Sequence, residues 1–157
     1  SPSNVLKQSE IISNALISAD PEGEALYQEN FVALRNDLLE LDLWLKNLLK
    51  PHSGQSFIVF HPAYGYFARE YGLKQIAIEH QGKEPSAKQL ARVFAQAHRE
   101  GARMVFVQPQ FSSQLAKKTA ENLGLTVVEL DPLQEDYMGN MRLIGRTLAA
   151  ASNEQAK

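Results

Sequence analysis

The stretch Phe57-Ile58-Val59-Phe60-His61-Pro62 decides how the chain reads. Four consecutive apolar residues lie between Gly54 and Pro62. A short run without polar alternation predicts a strand buried on both faces, as in a parallel sheet. Three comparable runs follow: Gln75-Ile76-Ala77-Ile78, Met104-Val105-Phe106-Val107 and Leu125-Thr126-Val127-Val128. Helical patterns separate them. Ser86 and Gln89 form a capping box, Leu90, Val93, Phe94 and Ala97 share one face, and Gly101 stops the helix. Ser112 or Ser113 caps a further helix that buries Leu115, Ala116, Thr119, Ala120 and Leu123 and stops at Gly124. A last helix over about 135–151 carries Tyr137, Met141, Ile144 and Leu148. Alternating strands and helices predict an α/β fold, a four-stranded parallel sheet flanked by helices with right-handed crossovers.

Upstream, residues 1–50 read as helix throughout. A first helix covers roughly 3–18, and Asp20-Pro21 interrupts it, because the residue before a proline avoids the helical region. A long helix follows over 23–49. Tyr27, Phe31, Leu34, Leu38, Leu41, Leu45 and Leu48 recur in alternating steps of four and three, which makes one stripe. Leu39, Leu43, Trp44 and Leu49 lie off it, so the helix is apolar on more than one side. Such a helix packs between two partners. At about 1.5 Å per residue it is roughly 40 Å long. It reads as a spine shared by two lobes, with a coiled-coil dimerisation helix as the alternative. The domain organisation is a helical segment, 1–50, and an α/β lobe, 55–157.

Composition narrows the function. Of 157 residues, 44% are hydrophobic and 22% charged, the balance of a globular protein. Net charge is 16 − 18 = −2 with no basic block, which leaves no footprint for nucleic acid. There are no cysteines, so disulfides, thiolate zinc sites and cysteine nucleophiles are excluded. No apolar run approaches the roughly 20 residues of a membrane-spanning helix.

In open parallel sheets, ligands bind outside the carboxyl ends of the strands. His61-Pro62 follows the first predicted strand and Asp131-Pro132 the fourth. Imidazole with carboxylate suits a divalent transition metal, zinc above all. The pair also suits acid–base catalysis, or a purely structural role in two loops. Glu79 and His80 end the second strand and read as solvated or locally hydrogen-bonded. His98 sits near a helix C-terminus, where a cation suits the dipole. His52 lies in a Pro/Gly/Ser linker and is expected to be exposed, and Trp44 is expected to pack. Glycine-rich nucleotide loops, metalloprotease and esterase motifs are absent from the sequence.

The segment from His61 to Leu73, His-Pro-Ala-Tyr-Gly-Tyr-Phe-Ala-Arg-Glu-Tyr-Gly-Leu, resembles the signature of the solute-binding proteins that serve zinc and manganese ABC importers. Gly82–Ser86, Leu130–Leu133 and Asp136–Met141 resemble three further landmarks of that family, in its order. The resemblance implies two α/β lobes joined by one long helix, with the metal in the cleft. It implies His61 and Asp131 as metal ligands, with zinc as the cargo and manganese as the alternative. A histidine at 61 tilts the choice to zinc, where a carboxylate would favour the harder cation. It implies a binding protein rather than an enzyme, periplasmic or otherwise extracytoplasmic and membrane-anchored, which hands its ion to an ABC permease of the inner membrane. Ser1-Pro2 resembles the continuation of a histidine-containing segment ahead of the spine. The chain therefore reads as spine helix plus C-terminal lobe, with the remaining ligands in an N-terminal lobe. An unpartnered spine is expected to self-associate, burying part of Leu38–Leu49. Two other readings stay open: an enzyme using His61 and Asp131 as acid and base, and an interaction module built on the leucine-rich helix.

Overall fold

A computed structural model describes residues 1–79, 85–102, 104–110 and 114–153. The chain divides into two compact units, one of residues 1–47 and one from Leu48 onward.

The first unit is helical. Helix α1 spans Pro2–Ala19, with Pro2 in its first turn, where no amide donor is needed. A 3₁₀ turn at Pro21–Gly23 separates it from α2, Glu24–Leu49. On α2 the predicted stripe is buried only in its C-terminal half, at Leu38, Leu41 and Leu45, while Leu34 is exposed. Leu49 is also buried; of the other off-stripe leucines, Leu39 is 43% exposed and Leu43 60% exposed.

The second unit is the α/β lobe. Its elements are β1 (Ser56–Val59), α3 (Gly65–Glu70), β2 (Lys74–Ala77), α4 (Ala87–Arg99), β3 (Met104–Val107), α5 (Gln114–Asn122), β4 (Thr126–Glu129) and α6 (Tyr137–Asn153). All strands are parallel, in the order β2-β1-β3-β4. The short helix α3 lies inside the segment read as a family signature and is the helical connection expected between the first two strands. The four apolar runs looked alike in sequence but differ in place. Central β1 and β3 bury three of four residues each, whereas edge strands β2 and β4 are only partly covered.

One face of the sheet contributes Ile58, Phe60, Ile76, Ile78, Val105 and Val107 to a core with Leu90, Phe94 and Ala97 of α4. Each such side chain stabilises the fold by about 1.5–3 kcal/mol when fully buried. On alternate strand positions Phe57 and Phe106 meet edge to face, ring centroids 5.8 Å apart. The predicted capping box is present: Ser86 Oγ accepts from the Gln89 amide and Gln89 Oε1 accepts from the Ser86 amide. Helix α4 ends at Gly101, whose φ of 74° is the left-handed value that glycine adopts at little cost. The Ala102 amide then donates back to the Ala97 carbonyl at 2.9 Å, closing the helix end. The expected caps at Ser112 and Ser113 lie outside the described residues, as do His80 and 82–84. His52 departs from expectation. It is buried in the 3₁₀ turn Lys50–His52 rather than exposed in a linker. None of the described helices is long and apolar enough to cross a membrane.

Candidate metal site

Because every strand is parallel, all four carboxyl ends lie on one edge of the sheet. A polar residue stands just beyond each: His61 after β1, Glu79 after β2, Gln108 after β3 and Asp131 after β4. The main-chain ladder reaches this edge. The Phe60 amide donates to Phe106, the Glu79 amide to Phe60 and the Leu130 amide to Val107, each at 2.9–3.0 Å. His61 and Asp131 therefore share the edge predicted for them. The end of β3 lies between, which separates their backbones by two strand spacings, roughly 10 Å.

The segment Gln108-Pro109-Gln110 fills that gap. Gln108 is 2% exposed. Its Oε1 accepts from the His61 amide at 3.1 Å, and its Nε2 donates to the His61 carbonyl at 2.9 Å. One buried amide thus clamps both backbone polar groups of His61, leaving that residue little freedom. Asn140, also buried, holds one backbone group of Asp131: its Nδ2 donates to the Asp131 carbonyl at 2.8 Å. The Asp131 carboxylate is oriented separately. Its Oδ1 accepts from Gln110 Nε2 at 2.6 Å and from the Leu133 amide at 2.9 Å, and its Oδ2 accepts from Gln134 Nε2 at 3.3 Å. A carboxylate offers about four acceptor positions, so three neutral donors leave it able to take a cation as well.

The His61 side chain is 40% exposed, and its Nδ1 lies 2.9 Å from Glu79 Oε2. Glu79 is neither solvated nor bonded locally, contrary to the sequence reading. Only 6% of its side chain is exposed, and its partner is 18 residues away. Tyr64 completes this edge, its hydroxyl donating to the Leu130 carbonyl at 3.3 Å. Burial, and secondarily the charge of Asp131, push its phenol above the ordinary tyrosine range. The hydroxyl therefore stays protonated and serves as a donor.

Sequence reasoning placed His61 and Asp131 at this edge, as the structure does, and did not single out Gln108, Asn140 or the contact of Glu79 with His61. A signal existed for Gln108. Gln108-Pro109 repeats the polar-proline pair of His61-Pro62 and Asp131-Pro132 at a third strand end. His98 is exposed in the last turn of α4, where the dipole argument put it. It borders an apolar cavity of about 670 Å³ lined by Leu90, Phe94, Leu123 and Leu125, which offers a cation no donor set comparable to the sheet edge. Among the described residues, no three His, Asp or Glu side chains gather as a metal-binding group.

The chain matches the family model of ZnuA, the periplasmic component A of the zinc-uptake complex, over residues 1–151. It is 31% identical over 136 residues to the high-affinity zinc uptake system protein ZnuA of Bacillus subtilis, covering 84% of this chain and 43% of that protein. A crystal structure of ZnuA superimposes with a TM-score of 0.92 at 37% identity, covering 97% of this chain and 60% of that one. A ZnuA deletion mutant with zinc bound gives 0.89 at the same identity, covering 97% and 58%. The chain spans 33% to 54% of the length of the curated relatives it matches.

Proposed function

Since the chain belongs to the ZnuA family of periplasmic zinc-uptake components, we propose that it binds a divalent transition metal, zinc before manganese, outside the cytoplasmic membrane for delivery to an ABC permease. The family consists of binding proteins, not enzymes. The acid–base reading of His61 and Asp131 is therefore set aside. Residues 55–157 are the metal-binding lobe in this proposal, helix 23–49 the spine, and His61 and Asp131 the ligands.

The observation that carries the reading is the treatment of these two residues. Both stand at the carboxyl edge, and each has its carbonyl held by a buried side-chain amide. Fixed backbones under two potential ligands lower the ordering cost of taking up an ion. Zinc sites usually hold four ligands. This chain supplies two in the proposal, so water or groups outside the described residues fill the other positions. Binding by the chain itself is accordingly weak and reversible.

A competition titration by calorimetry tests the metal. Saturable zinc uptake, with manganese bound less tightly, is the expected result. Manganese binding as tight as zinc, or no zinc uptake at millimolar concentration, contradicts it.

A second reading concerns association. Within Leu38–Leu49, the stretch expected to be partly buried on association, Leu38, Leu41, Leu45 and Leu49 are already buried in the chain itself. Leu39 and Leu43 are exposed and one turn apart on α2. We propose these two as the contact through which copies of the chain associate.

A further inference from the structure

We propose that Glu79 is the positioning residue of the metal site: it holds the His61 imidazole in one orientation and one tautomer, with the proton on Nδ1 and the lone pair on Nε2. The proposal rests on the reading of His61 as a ligand.

Main-chain pairing creates the contact. Strand β2 lies beside β1, and the Glu79 amide donates to the Phe60 carbonyl, next to His61 in the chain. That register carries Glu79 Oε2 to 2.9 Å from His61 Nδ1. An ionised carboxylate accepts hydrogen bonds and cannot donate them, so the Nδ1 it faces carries the proton. In water a neutral imidazole favours the opposite tautomer, with the proton on Nε2. The buried carboxylate therefore selects the form that presents Nε2 to a cation. It also makes that nitrogen a better donor, as carboxylate partners of metal-bound histidines do. Burying a carboxylate is costly unless it is bonded. A surface residue would do as well for strand ending alone. Gln108 clamps the His61 backbone while Glu79 fixes its ring, so the two constraints cover main chain and side chain in turn.

The test is nitrogen-15 NMR of the histidine rings in the 157-residue chain without metal, at a pH where imidazole is neutral, followed by zinc titration of the same samples. The wild type is expected to show His61 with Nδ1 protonated. Glu79→Ala is expected to move it toward the Nε2-protonated form and to weaken zinc binding by about 10- to 100-fold. Glu79→Gln keeps an acceptor, so it is expected to keep the tautomer and lose less than Glu79→Ala. His61→Ala is the reference for loss of the ligand. If His61→Ala weakens zinc while Glu79→Ala changes neither tautomer nor affinity, the positioning role is wrong and the site stands. If His61→Ala leaves zinc binding intact, the underlying site falls and the proposal with it. If Glu79→Ala does not fold, Glu79→Gln decides: a loss as large as that of His61→Ala with the tautomer retained makes Glu79 a ligand and overturns the positioning role.

Discussion

Replacing Gln108 by Met removes the clamp on His61 while nearly conserving side-chain volume. The His61 amide then loses its acceptor and the His61 carbonyl its donor. An orphaned buried polar group costs about 1–3 kcal/mol. Both bonds are only partly buried, which puts each near the lower end, so the expected loss is about 2 kcal/mol in all. Gln108→Ala adds a cavity at a position 2% exposed, raising the loss to about 3 kcal/mol. Urea unfolding followed by circular dichroism reads both. With a slope of about 2 kcal/mol per molar, the midpoint falls by roughly 1 M for Met and further for Ala, with the slope unchanged. Zinc affinity is expected to fall in the same variants, because the imidazole then hangs from a looser backbone. A shift below about 0.5 kcal/mol in both, within the range of ordinary surface changes, would show that the amide does not hold this strand end.

Ser86→Ala breaks the capping box of α4 and is expected to cost about 1 kcal/mol by thermal unfolding. Tyr137 has its phenol pushed up to about 12, by burial first and by Glu70 second. Its hydroxyl has no hydrogen-bond partner among the described residues. The folded state therefore keeps this proton above the unfolded value of 10, so its stabilising share is complete below pH 10 and fades as pH climbs towards 12. Tyr137→Phe is expected to leave stability at pH 7 nearly unchanged and to soften the loss between pH 10 and 12 in melting curves. The double change Leu39→Lys with Leu43→Lys is expected to render the chain monomeric by sedimentation velocity. An undiminished dimer in that variant would remove α2 as the interface.

How far the sequence could be read depended on the range of the interactions involved. Strands β1 and β3 were legible because uninterrupted apolar runs have few other uses, and α4 because its cap and its glycine stop are local signals. His61 and Asp131 were legible because strand ends can be located once strands are. Glu79 was not, because its partner depends on β2 lying beside β1, a fact of strand order that no local pattern carries. Gln108 and Asn140 escaped for a related reason. An uncharged amide looks like surface in sequence, and only the fold reveals that each is buried against a carbonyl. His52 was misjudged because Pro, Gly and Ser around it suggest an open linker, whereas a tight 3₁₀ turn buries it.

The central claim is that His61 and Asp131 hold the ion, and zinc calorimetry on four forms of the chain tests it most directly: wild type, His61→Ala, Asp131→Ala and His98→Ala. Each of the first two substitutions removes one of two protein ligands and is expected to weaken zinc by at least tenfold, on the order of the loss of a supporting group or more. His98→Ala, on an exposed helix end beside an apolar cavity, is expected to match the wild type. Equal affinities in all four, or a loss confined to His98→Ala, would contradict the account.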